Sequence, residues 1–208
     1  MAKTDPWPFI HSERKALVAD LGSMTEEQWA TPSLCGDWSV HDVLAHMTAA
    51  AKMSPGKFFG RMISSGFRFG SVQAKGIAAE RGATGADTLA NFTDVVDSTG
   101  RPPGPVETPL GETIVHSEDI RRPLGISHDY PTEWVTHAAD FYRGSNLIIG
   151  GKKRAAGLTF RATDADWSAG TGPDVSGPAV SIVLAITGRK AGLEGLSGDG
   201  VESLRSRM

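Results

Sequence analysis

Apolar residues recur every three or four positions along much of the first 150 residues, a spacing that predicts amphipathic α-helices. The predicted helical stretches are SERKALVADLG (12–22), a short piece from Thr25, SVHDVLAHMTAAAKM (39–53), GADTLANFTDVVDSTG (85–100), a helix from 108 to about 123 and PTEWVTHAADFYRGSN (131–146). Ser39, followed three residues later by Asp42, resembles a capping box. Ser12 and Thr108 are the expected N-caps of their helices. Segment 54–82, interrupted by glycines, predicts a broken helical connection.

The pattern changes from about residue 150. In GLTFRATDADWSAGTGPDVSG (157–177) apolar residues alternate with polar ones between glycines and prolines, which predicts one or two short strands. GPAVSIVLAITG (177–188) and DGVESLRSRM (199–208) are expected to close the chain as helices. The predicted fold is therefore mainly α: a helical bundle over residues 1–150, followed by a small α/β region over residues 151–208.

Composition narrows the class of protein. The 208 residues are 39% hydrophobic and 22% charged, with a formal net charge of −3, which is typical of a soluble globular protein. Neither a nucleic-acid nor a membrane partner is indicated, and the N-terminal MAKTDPWPFIHSERK lacks the apolar core of a secretory signal, so a cytoplasmic location is expected. The single cysteine, Cys35, excludes an internal disulfide and a cysteine-rich zinc module. Any metal would then be bound by histidines and carboxylates.

The stretch LGETIVHSEDIRRPLG (110–125) contains the main candidate chemistry. In a helix, Glu112, His116 and Asp119 share one face, because residues three and four apart are neighbours. Glu118, Arg121 and Arg122 crowd the other side, which we therefore expect to face solvent, so that the first stripe turns inward. An inward carboxylate is costly unless it is paired or binds a cation. Glu112 could equally pair with an arginine of a neighbouring helix.

His46, on the apolar side of the 39–53 helix, is the natural partner for that stripe. Together with Glu112 and His116 it forms a two-histidine, one-carboxylate set, the composition of a catalytic metal site with an open position. Taken alone, a histidine on an apolar face is more often a core residue satisfied by one hydrogen bond, which for His46 could be to Asp42. Asp119 could accept an N–H from a ligating imidazole, and could equally be a solvated helix residue.

Other polar residues remain weaker candidates. His137 is a competing ligand, whereas the remaining histidines are expected at surface or cap positions: His11, His41 and His128. Cys35 is expected to be a buried packing residue, and Trp38 to anchor its loop. Whether Arg161 or Arg189 contacts an anionic substrate stays open.

The block CGDWSVHDVLAHM, followed some seventy residues later by ETIVHSEDIRRPLG, closely resembles the actinobacterial mycothiol-dependent maleylpyruvate isomerase family, within the wider DinB/YfiT-like superfamily. This resemblance implies a DinB-like four-helix bundle that holds a divalent metal through His46, Glu112 and His116. Zinc is the leading candidate, and nickel, cobalt or iron would suit the same ligands. The resemblance also implies the thiol cofactor mycothiol, and it extends to the C-terminal region.

The implied function is that of a thiol-using isomerase or S-transferase acting on a small electrophilic substrate. In an isomerase the thiolate would add to a double bond, permit rotation and leave again; in a transferase it would stay attached. The alternatives are a metal-dependent hydrolase and a non-catalytic metal-binding bundle with a stress or binding role. The sequence assigns no catalytic or thiol-binding residue and leaves homodimer formation open.

Overall fold

The computed structural model describes residues 5–146 and 149–208, and the chain divides into two compact units, Met1–His128 and Asp129–Met208. Seven helices form the first unit: α1 (Trp7–Leu21), α2 (Glu26–Trp29), α3 (Val40–Ala51), α4 (Pro55–Ser64), α5 (Phe69–Glu80), α6 (Gly85–Thr93) and α7 (Glu107–Arg121). Helices α1 and α3 each pack against both α6 and α7, and together these four make a bundle. The predicted mainly α fold is confirmed.

The core of the bundle is built from the apolar stripes that the sequence pattern predicted. Its fully buried side chains include Leu17, Val43, Leu44, Phe92 and Ile120. The entry of α3 is set by the predicted capping box: Ser39 Oγ accepts from the backbone N–H of Asp42 (3.2 Å), and Asp42 Oδ2 accepts from the backbone N–H of Ser39 (3.0 Å). The cap therefore determines where α3 begins, and with it the position of His46 about two turns later.

The second unit combines helices with a small sheet. Its elements are α8 (Thr132–Gly144), α9 (Gly151–Ala155), β1 (Thr159–Ala162), β2 (Ser168–Gly170), β3 (Asp174–Gly177), α10 (Ala179–Ile186), a 3₁₀ helix (Lys190–Gly195) and α11 (Val201–Arg205). The strand order is β2-β1-β3, with β2 antiparallel and β3 parallel to β1. Phe160, Val175 and Ile182 are buried in its core. Among the described residues no helix combines the length and apolarity needed to cross a bilayer.

Several boundaries differ from those predicted. Helix α1 begins at Trp7 rather than Ser12, because Phe9 and Ile10 bury one more apolar turn. Helix α7 begins at Glu107, with Val106 rather than Thr108 at the cap. Helix α8, which the predicted boundary at 150 assigns to the bundle, lies in the second unit, since it packs on α9 and α10.

His41 is buried, contrary to the expected surface or cap position. Its side chain is inserted between α3, α5 and α6, with Nε2 2.5 Å from Thr88 Oγ1. Arg81 Nε donates to Nδ1 of the same ring at 3.2 Å. An imidazole that accepts at Nδ1 carries its proton at Nε2, so the folded state holds the neutral ring. Burial and the Arg81 charge both lower the pKa of His41.

Because the pKa of His41 is lower in the folded chain than in the unfolded one, the unfolded state binds more protons as the pH falls. The stabilisation from His41 is complete above its ordinary pKa of 6.5 and is lost as the pH falls through the folded-state value. Urea unfolding between about pH 7.5 and about pH 5 should therefore show a steeper loss of stability in the parent than in His41→Asn, which does not titrate there. Equal slopes in the two proteins would contradict the assignment.

Candidate metal centre

His46, Glu112 and His116 lie together between α3 and α7. One donor atom from each falls within 4.8 Å of the other two. His46 Nε2 is 3.4 Å from Glu112 Oε1, and the two imidazole rings are 5.0 Å apart at an edge-on angle of 77°. The closed bundle therefore brings together residues from two helices that are distant in the chain.

The arrangement fits a divalent ion. Nitrogen and oxygen ligands about 2.1 Å from a tetrahedral ion stand roughly 3.4 Å from each other, which is the separation of His46 and Glu112. Two imidazoles and one carboxylate also suit zinc, iron, nickel or cobalt. The same separation of His46 Nε2 and Glu112 Oε1 also fits an ion pair between Glu112 and a protonated His46. The geometry therefore accommodates a metal without requiring one.

Asp119 contacts the second histidine of the set. Its carboxylate is fully buried and lies 2.8 Å from His116 Nδ1. An Nδ1–H donated to this carboxylate leaves Nε2 unprotonated, which is the state in which an imidazole binds a metal. The backbone carbonyl of Asp119 also accepts from the N–H of Leu34 (3.2 Å), tying the loop before α3 to α7.

Glu112 is held in its ionised form. Burial alone would raise the pKa of this carboxyl, but the hydrogen bond with His46 and the charges of His46, His116 and Arg14 together bring it below the ordinary 4.5. Arg14, buried on α1, donates to the carbonyl of Ser98 at 2.9 Å. Burial lowers the pKa of Arg14 to about 10, so it remains a cation at neutral pH. Arg14 was not among the sequence candidates, since nothing in its local pattern links it to α7.

The prediction that the charged side of α7 faces solvent was wrong. Arg121 is completely buried and Glu118 is 5% exposed. Arg121 Nε and Nη2 both lie 2.7 Å from Asp20 Oδ2 on α1, and Glu118 pairs with Arg122 at 2.7 Å. Helix α7 is covered on its charged side as well, because α1 supplies the acids that neutralise Arg121.

Cys35 and Trp38 lie beside the candidate centre. Both pack against the bundle core, although Cys35 is half-buried rather than buried as predicted. The Trp38 ring is 5.0 Å from that of His46. Cys35 also forms an overlapping group with His116 and Asp119, whose donor atoms fall within 4.8 Å of one another. This proximity was not predicted, because it depends on the folding of the 31–38 loop against α7.

The other sequence candidates lie elsewhere. His137 is on α8, and neither candidate group found among residues 5–146 and 149–208 includes it. Arg161 forms an exposed ion pair with Asp174 at 3.7 Å, and Arg189 donates to the carbonyl of Thr187 at 3.0 Å. His128 Nε2 lies 2.7 Å from Glu13 Oε2, and His11 lies 3.9 Å from Asp97.

A four-helix bundle with two histidines and one carboxylate on facing helices defines a candidate metal-binding protein. Residues 10–102 match the family model of the mycothiol maleylpyruvate isomerase N-terminal domain. Over these residues the match confirms the resemblance predicted from the sequence. The matched residues include His46 and end before α7.

Two solved structures share the fold. Both are of mycothiol-dependent maleylpyruvate isomerase, and one of them is a histidine-to-alanine mutant. Each aligns with a TM-score of 0.62 and 14% sequence identity, over 94% of this chain and 93% of its own. A search among curated proteins found no match. At this identity the likeness establishes the fold.

Proposed function

We propose that the chain is a metal-dependent enzyme that uses mycothiol, as an isomerase or S-transferase acting on a small electrophilic substrate. The observation that carries the proposal is the cluster of His46, Glu112 and His116 inside a bundle of this family. The two aligned structures are of a mycothiol-dependent isomerase, which favours isomerisation. Zinc is the leading metal, with nickel, cobalt and iron as alternatives.

The residues around the cluster support this role. His46, Glu112 and His116 would hold the ion, and Asp119 and Arg14 would keep two of these ligands in their binding states. A metal with three protein ligands offers an open position and lowers the pKa of a thiol bound there, so that the thiol becomes a nucleophile near neutral pH. Trp38, beside His46, covers one side of the centre with an aromatic ring.

The proposal predicts turnover that depends on thiol. Metal-loaded protein should bind mycothiol in calorimetry and should isomerise maleylpyruvate, the substrate named for the aligned structures, only when mycothiol is present. Turnover of ester or amide substrates without thiol would favour the metal-dependent hydrolase instead. Metal binding without thiol binding or turnover would favour a non-catalytic bundle. The cytoplasmic location and the homodimer remain predictions.

Asp119→Asn should weaken metal binding by about 10- to 100-fold, because the amide no longer accepts the His116 N–H as a charged partner. Competition with a chelator of known affinity measures this loss. Glu118→Gln, on the adjacent position of the same helix, is the matched control, since Glu118 pairs with Arg122 and does not face the centre. Equal affinities in both variants would contradict a role for Asp119 in orienting His116.

A further inference from the structure

Helix α4 exposes two large apolar side chains to solvent. Phe59 is 59% exposed and Ile63 is 69% exposed. The turn and helix start that follow add Phe67, 74% exposed, and Phe69, 42% exposed. These four side chains, the aromatic surface, are the exposed large apolar residues of the described chain. Single exposed apolar residues are ordinary, but a cluster of them marks an interaction site.

Two large apolar side chains of α4 point away from the rest of the unit. The half-buried residues of this helix are Phe58, Arg61 and Met62, and Arg61 Nη1 lies 3.2 Å from where a Cβ on Gly76 of α5 would be. Phe59 and Ile63, four residues apart, share a different face and are exposed. An amphipathic helix normally buries its large apolar side chains, so this exposed face of α4 is available to a partner.

The backbone beyond α4 is arranged so that Phe67 stays exposed. Gly66 and Phe67 both adopt a left-handed conformation, with φ of 58° and 59°. Phe67 is the one non-glycine residue with positive φ among those described. This conformation is strained for a residue with a Cβ. A costly turn that displays a phenylalanine is expected where the exposed side chain has a use.

The charge around the aromatic surface has one sign. Between Asp42 and Glu80 the sequence contains no acidic residue and five basic ones, Lys52, Lys57, Arg61, Arg68 and Lys75, in a chain whose net charge is −3. Lys52 pairs with Glu80 at 2.7 Å. The other four form no ion pair with any residue that the structure describes. The partner of this surface is therefore expected to be anionic.

We propose that the aromatic surface docks the protein onto an anionic lipid bilayer. Aromatic and aliphatic side chains on one face of a short helix, flanked by lysines and arginines, are the composition of helices that lie in the headgroup layer. A second copy of the chain fits less well, because a twofold contact would bring the same unpaired cations face to face. The docking is peripheral and does not depend on a metal at His46, Glu112 and His116.

Vesicle co-sedimentation of the full chain tests the proposal. The parent should sediment with vesicles of equal parts phosphatidylcholine and phosphatidylglycerol, and not with phosphatidylcholine alone. Phe59→Ser with Ile63→Ser should weaken binding by more than about tenfold. Lys57→Ala with Lys75→Ala should weaken it roughly thirtyfold, at about fivefold per charge. Lys152→Ala with Lys153→Ala, exposed lysines of α9, removes the same charge elsewhere and should leave binding unchanged.

Three results would overturn the proposal. The first is no binding of the parent to the anionic vesicles. The second is equal binding by the aromatic-surface variants and the α9 control. The third is a dimer, seen by analytical ultracentrifugation without lipid, that Phe59→Ser with Ile63→Ser dissociates, which would assign the surface to a second copy. The side chains replaced in these variants are exposed. We therefore expect unchanged melting temperatures, which would show that all variants remain folded.

Discussion

Replacing His46 or His116 with alanine should abolish metal binding and thiol-dependent turnover together. Each imidazole supplies one of the three donor atoms that fall within 4.8 Å of one another, and an ion left with two protein ligands binds far more weakly. Mass spectrometry of untagged protein should find about one equivalent of metal in the parent and none in either variant. Turnover should fall by at least about a thousandfold, since the proposed chemistry would depend on the ion.

The matched control is His137→Ala, which removes the histidine that the sequence left as a competing ligand. It should keep the full metal content and the activity. If His137→Ala loses its metal, His137 is a ligand and one member of the proposed set is wrong. If the parent, freshly purified and after reconstitution, holds no metal, the cluster is an ion pair within a helical bundle and the proposed function fails with it.

Asp20→Ala should destabilise the bundle by about 3 kcal/mol, because it removes a carboxylate that lies against the buried guanidinium of Arg121. Both Arg121 Nε and Nη2 lie 2.7 Å from Asp20 Oδ2, and the side chain of Arg121 is 0% exposed. Glu13, at 3.9 Å from Arg121, offers only a longer contact. Urea unfolding at neutral pH measures the loss.

Two further variants separate the buried charge from ordinary packing. Arg161→Ala removes an exposed ion pair of 3.7 Å and should cost less than about 0.5 kcal/mol. Arg121→Met combined with Asp20→Ala should recover most of the lost stability, since an apolar side chain of similar length needs no partner. If Asp20→Ala costs no more than Arg161→Ala, the pair does not stabilise the fold.

Helix positions could be predicted where residues within one or two turns of each other determine them. Ser39 and Asp42 form their capping box because both partners lie within one turn, and the apolar stripes of α3 and α6 are determined by residues three and four apart. The charged side of α7 was not predictable in this way. Its burial depends on Asp20, a hundred residues earlier in the chain and visible as a partner only once α1 packs on α7.

The same division applies to the candidate centre. No local sequence pattern links His46 to Glu112 and His116. The sequence analysis grouped them by residue type and by the family resemblance, and in the folded bundle the three lie together. Arg14 and Cys35 were missed for the converse reason, because they come close to these residues only through α1 and the 31–38 loop. The exposure of Phe59 and Ile63 on α4 was not predicted either, since large apolar side chains at helical spacing ordinarily indicate the buried side of a helix.

The candidate centre draws its ligands from α3 and α7, which approach each other only when the bundle is closed. An unfolded chain separates His46 from Glu112 and His116 by more than sixty residues and cannot hold an ion with the same three donors. An ion at this position would therefore cross-link the two helices. Because it would bind only the folded chain, the melting temperature would rise with the free metal concentration. In a cell short of that metal, the protein would lose resistance to unfolding and proteolysis along with its chemistry, so that metal supply would govern its abundance as well as its activity.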